Sequence, residues 1–99
     1  MASGEILRAD ASALDAAGGE FNSCGEQTRD AMTRMRNQVS SLNGSFEGSA
    51  AQSFFSRMEY LFQQMQVLSD EIVEQGNDLK SMAARVRELN AQGATLLGD

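Results

Sequence analysis

Apolar residues recur along this chain in steps that alternate strictly between three and four. One ladder runs Leu7, Ala11, Leu14, Gly18, Phe21, Gly25, Thr28, Met32, Met35, Val39, Leu42. A second runs Ala51, Phe54, Met58, Leu61, Met65, Leu68, Ile72, Gln75, Leu79, Met82, Val86, Leu89, Gly93, Leu96. Apolar residues fill 20 of the 25 rungs but 41% of the chain as a whole, so the pattern is not a product of composition. A repeat of this kind puts one apolar seam along a helix and presses it against another helix. Two such ladders around a glycine-containing break predict an all-α fold, an antiparallel two-helix hairpin.

The ladders place helix one at about 6–42, a turn at 43–48, helix two at about 49–92 and a flexible tail to 99, all in one domain, 1–99. Ser3 is a candidate N-cap for helix one, with Glu5 and Asp10 near its positive end. Asn43-Gly44-Ser45 is a helix-stop cluster. Ser49 and Gln52 have capping-box spacing, although the ladder equally permits a start near Ser45. A hairpin folding about residue 45 or 46 brings Gly25 opposite the region of Phe62 to Met65. Phe62 is then expected to fill the space that Gly25 leaves.

Helices of about 37 and 44 residues are roughly 55 and 65 Å long. Each can cover only one side of the other. The chain is therefore expected to dimerise, completing a four-helix bundle. The dimer and hairpin core is expected from Phe21, Met32, Met35, Val39, Leu42, Phe54, Phe55, Met58, Leu61, Phe62, Met65, Leu68 and Ile72. Phe55 and Phe62 lie one residue off the ladder and widen the stripe beyond a two-stranded seam. They are the flanks that a second copy is expected to bury.

Charge and chemistry narrow the function. The net charge is −6, with 14 acidic and 8 basic residues and only scattered Lys and Arg. This opposes binding to nucleic-acid backbones and to anionic membrane surfaces. Asp70, Glu71, Glu74 and Asp78 form an acidic run, read either as a solvated face or as a contact for a basic partner. Without histidine there is no Ser-His or Cys-His nucleophile pair and no imidazole metal ligand. No phosphate loop or EF-hand is present. No enzyme activity, catalytic residue, metal or cofactor is expected. The single Cys24 excludes an intrachain disulfide; it reads as a small half-buried residue or as an intermolecular thiol. No stretch approaches the roughly 20 apolar residues that cross a bilayer, so no stable membrane insertion is expected. The N-terminus lacks the basic start and apolar core of a secretory signal. The default location is the cytoplasm, unless the protein leaves by a route that needs no such signal.

The break itself carries a resemblance. Leu42-Asn-Gly-Ser-Phe-Glu-Gly-Ser-Ala-Ala-Gln-Ser-Phe54 resembles the centre of the WXG100 family, helical hairpins of type VII (ESX) secretion systems. Phe46 stands where the family usually has Trp, Gly48 matches its Gly, and Ala50, Ala51 and Phe54 match the small and aromatic residues that follow. The likeness extends to length, central break, two helices and acidity. An aromatic in the turn can shield the last apolar rungs, and Gly48 lets the backbone approach closely or take a positive φ. Many actinobacterial members also carry a Tyr-x-x-x-Asp/Glu export signal after helix two. Here the only tyrosine, Tyr60, lies inside helix two with Gln64 four residues on, and Thr95-Leu-Leu-Gly-Asp99 keeps the spacing without a Tyr. Either a partner chain supplies that signal, or another signal serves, or the protein is not exported alone.

The resemblance implies a substrate or escort/adaptor of a bacterial type VII system, acting by protein–protein binding. It would be made in the bacterial cytoplasm and secreted by a signal-peptide-independent route. Phe46 and Gly48 would serve in secretion recognition. The implied partners are itself, as a homodimer, or a related WXG100-like chain, together with the type VII secretion ATPase and a larger effector. The alternative is a cytoplasmic helical-hairpin scaffold or regulator not linked to export.

Overall fold

The computed structural model describes residues 10–96, with side chains through 92. Helix α1 is Ala11–Ser41 and helix α2 is Ser49–Leu96, and no strand occurs among the described residues. They pack antiparallel along their length. The molecule measures 74 × 25 × 12 Å. A thickness of 12 Å is about one helix diameter, so the hairpin is a single layer.

Asp10 caps α1. Its carboxylate accepts from the Ser12 N–H at 2.9 Å and from the Ala13 N–H, satisfying donors that the first turn leaves free. The helix thus begins five residues later than expected, and the residues proposed for an earlier start, Ser3, Glu5 and Leu7, lie outside the described region. α2 continues to Leu96, past the expected end near 92, while residues 97–99 of the expected tail are also outside it. Its first intrahelical bond runs from the Gln52 N–H to the Gly48 carbonyl at 3.0 Å, making Gly48 rather than Ser49 the flanking cap residue.

On α1 the seam keeps to the expected ladder, whereas on α2 every second rung from Leu61 to Met82 yields to the residue after it. On α1 it follows Gly18, Gly25 and Met32, all buried. On α2 the buried positions are Ala51, Phe62, Ser69, Gly76, Ala83 and Val86. The rungs Leu61, Leu68, Gln75 and Met82 thereby give way to Phe62, Ser69, Gly76 and Ala83. Small residues win because the helix backbones approach closely here. A Cβ at Gly18 would stand 2.7 Å from the Gly76 carbonyl oxygen, and one at Gly76 would stand 2.8 Å from the Gly18 carbonyl oxygen. Ser69 is fully buried without strain, since its hydroxyl donates to the Gln66 carbonyl at 3.0 Å.

Register corrects a second expectation. The space beside Gly25 is filled by Val73 and the Ser69 backbone, not by Phe62. Phe62 packs nearer the turn, under the Arg36 guanidinium at 4.6 Å from the ring centroid. The turn folds back over the first turn of α2, so α1 meets α2 further along the chain than a symmetric hairpin would.

Candidate functional site

Two regions stand out: the tip of the hairpin and one of its broad faces. At the tip, the Leu42 carbonyl accepts from the Ser45 N–H at 3.1 Å, the Phe46 N–H at 3.0 Å and the Ser45 hydroxyl at 3.1 Å. Gly44 and Gly48 take φ of +89° and +108°, the left-handed region that a side chain resists. These two positions let the chain reverse once between the helices and bring Phe46 back against α2. Phe46 lies edge-on to Phe54 and Phe55, with both centroid separations 5.8 Å. Phe54 and Phe55 close the triangle at 5.6 Å. Edge-to-face geometry brings the positive ring edge to the negative face. Phe46 stays 36% exposed, so this cluster both closes the stack and shows a ring to solvent.

The broad face comes from the same rotational offset. Leu61 and Leu68 each precede a seam residue by one position, and Met82 precedes Ala83 likewise. On α1, Phe21 and Met35 follow Gly18 and Met32 by three. Both offsets turn the side chain about 60–100° from the seam in the same sense along each chain. Antiparallel helices turn oppositely when viewed from one end, so the two stripes emerge on one side of the hairpin. Phe21, Met35, Leu42, Leu61, Leu68, Met82 and Leu89 are all among the exposed large apolar residues.

The opposite edge carries charge. The Arg29 guanidinium donates to Asp70 at 2.6 Å and to Glu26 at 3.0 Å, Arg87 pairs with Asp15 at 2.7 Å, and Arg36 with Glu59 at 3.5 Å. The hydrogen bond from Arg29 holds the Asp70 carboxyl below its ordinary pKa against partial desolvation, with a second bond from Gln66. The same hydrogen bond raises the Arg29 pKa. The acidic run therefore divides: Asp70 faces α1, while Glu71, Glu74 and Asp78 take no part in these pairs.

The thirteen residues proposed as core separate likewise. Met32 and Phe62 are buried between the helices. Val39, Phe54, Phe55, Met58, Met65 and Ile72 are half-buried. Phe21, Met35, Leu42, Leu61 and Leu68 are exposed on the broad face. Of the two flanks expected to await a second copy, Phe62 is already covered within the hairpin and Phe55 belongs to the ring cluster. Cys24 is exposed rather than half-buried. Ser69, Gly76 and Ala83 were not anticipated as contact residues. Their signal was present as a heptad run, 55, 62, 69, 76, 83, that small side chains hide from a hydrophobicity reading. Asn22 was missed too. Its amide donates to Asn77 at 3.3 Å across the seam, while its buried Oδ1 faces Gly76 without a hydrogen-bond partner.

Among the described residues no helix is long and apolar enough to cross a membrane. A one-layer hairpin with an aromatic-x-Gly tip defines a class of small helical proteins of about a hundred residues. The chain belongs to the WXG100 family, "Proteins of 100 residues with WXG", which it matches over residues 6–91. Among solved structures it is similar to the secreted protein EsxB of Bacillus anthracis strain Sterne. A point mutant of EsxB superposes with a TM-score of 0.79 at 19% identity, covering 89% of this chain and 99% of that one. A selenomethionine-labelled EsxB gives 0.77 at 20% identity, covering 87% and 98%. At these identities the likeness is one of fold. Among curated proteins, none matches the chain.

Proposed function

We propose that this chain serves a bacterial type VII secretion system as a protein-binding hairpin, a substrate or an escort of a larger effector. It is made in the cytoplasm and exported without a signal peptide. It works by binding and presentation rather than catalysis. Phe46 and Gly48 form part of the surface that the system's membrane ATPase recognises. The observation that carries this reading is the tip: in a WXG100 chain, the residues that stand for the family motif hold a partly exposed ring at the hairpin's end.

The apolar face supports the second element of the reading, pairing with a second copy or a related WXG100 chain. Burying a Leu, Met or Phe side chain is worth about 1.5–3 kcal/mol, and a second hairpin laid on this face would bury several at once. The result is a four-helix bundle.

The test is export. Phe46→Ala with Gly48→Ala removes two of the three contacts of the ring triangle and disfavours the +108° backbone at Gly48. The double variant is expected to remain helical and associated in the cell but to be missing from the culture medium of a host with a working system. If export falls only in proportion to lost stability, the tip merely closes the helix stack. If the native protein is never exported with its partner present, the scaffold reading replaces secretion.

A further inference from the structure

Pairing through the broad face accounts for Leu61 and Leu68 but not for Tyr60 and Val67, which are 61% and 54% exposed. Tyr60, Val67 and Glu74 stand two residues before Phe62, Ser69 and Gly76, all packed on α1. At about 100° per residue they point roughly 160° away from α1. They form a ridge on the far side of α2 that stays outside when a second hairpin covers the broad face. Towards the tip the ridge is apolar, and a shallow groove lined by Ser56, Arg57, Tyr60 and Leu61 borders it. Away from the tip it becomes anionic, with Glu71, Glu74 and Asp78 on successive turns. None of these three takes part in the ion pairs among the described residues, whereas the neighbouring Asp70 is committed to Arg29.

We infer that this ridge docks an amphipathic helix of a protein partner, with apolar anchors at seven-residue spacing and Lys or Arg about one heptad beyond them. A helix fits because Tyr60, Val67 and Glu74 repeat every seven residues, about 10.5 Å, which another helix matches with its own heptad. The carboxylates set the sign of the partner's charge. A second copy of this chain is the wrong occupant. It carries a net charge of −6, its Arg29, Arg36 and Arg87 are engaged in ion pairs, and its Arg34, Arg57, Lys80 and Arg85 do not lie one heptad beyond a pair of large apolar residues at seven-residue spacing. The inference rests on the reading of the chain as a protein-binding escort and names the chemistry of what it escorts.

The experiment uses the full chain and a fluorescein-labelled designed peptide of about three heptads, with leucines in the first two and lysines in the last. A second peptide replaces the lysines by glutamates. Binding is read by fluorescence anisotropy, and assembly by sedimentation in parallel. The basic peptide is expected to bind about tenfold more tightly than the acidic one, with the difference shrinking as salt screens the charges. Tyr60→Ser with Val67→Ser should weaken the basic peptide about tenfold while leaving sedimentation unchanged. Glu71→Lys, Glu74→Lys and Asp78→Lys together should reverse the preference. The inference falls if both peptides bind equally to the native chain. It falls equally if binding depends on Leu61 and Leu68 but not on Tyr60 and Val67, or if the lysine variant keeps its preference. A native chain that sediments as a monomer yet binds through Tyr60 and Val67 would sink the pairing reading and leave this one standing.

Discussion

The two long edges of the helix–helix seam are built from opposite chemistry. Along one, Asp15–Arg87, Arg29–Asp70 and Arg36–Glu59 tie the helices together in water. Along the other, Phe21, Met35, Leu42, Leu61, Leu68 and Met82 come out side by side and exposed. The charged edge is complete: each partner has its counter-ion and stays hydrated. The apolar edge is unfinished, because nothing within one hairpin reaches over it. On the proposed pairing, the difference separates what holds one hairpin together from what a second hairpin would cover, and each edge can be broken separately.

The largest effect is expected on the apolar edge. Leu61→Asp with Leu68→Asp would place carboxylates where a second hairpin must desolvate them. Breaking a buried interface in this way costs about 3–5 kcal/mol, or roughly two to three and a half orders of magnitude in association. Since both leucines are about half exposed in the single hairpin, the variant should keep its helical circular dichroism while sedimenting as a monomer. Loss of helix along with association would mean that the edges are not separable.

Between the edges, the seam itself should be the next most sensitive. Gly76→Val would drive a Cβ towards the Gly18 carbonyl oxygen, 2.8 Å away, and the Phe21 Cβ, 3.0 Å away. Overpacking at a backbone contact is expected to cost about 2–3 kcal/mol in chemical denaturation. Gly19 sharpens the point, because a Cβ there meets nothing within 4 Å. Gly19→Ala should instead stabilise α1 by about 0.5–1 kcal/mol. Equal effects at the two glycines would contradict the close crossing.

The smallest effect belongs to the charged edge. Exposed ion pairs gain little, since water already solvates both partners. The Asp70 carboxyl is depressed in the folded state by its bond from Arg29. Its contribution is therefore present above the unfolded carboxyl value of about 3.9 and lost as pH falls through the lower folded value. Asp70→Asn should leave assembly intact and flatten this acid-side part of the stability profile, with a difference from the native chain that fades at high salt.

Much of this was legible in the residues. The three-four alternation of the ladders, interrupted by Asn43-Gly44-Ser45 and Gly48, dictates two helices and one turn. The Phe46-Glu47-Gly48 segment marked the tip. Less legible was which line of α2 touches α1. The bulky line through Leu61, Leu68 and Met82 has the stronger apolar signal, but it lies beside the contact. The continuation of the Phe62 line through Ser69, Gly76 and Ala83 has a weak hydropathic signal and lies in it, because the contact beyond Phe62 needs small volume more than apolar area.

The sequence by itself determined the secondary structure, the position of the reversal and the family, because periodicity and turn chemistry act locally and need no partner. Only the tertiary structure decided the rotation of α2 about its axis and the register between the helices. A three-four repeat leaves adjacent rows one residue apart equally periodic, and the choice between them falls to the fit of two surfaces. Gly18 and Gly25 admit α2 so closely that Gly76 and Ser69 face them. That rotation pushes Leu61 and Leu68 out onto the broad face and carries Tyr60, Val67 and Glu74 round to the far side of α2.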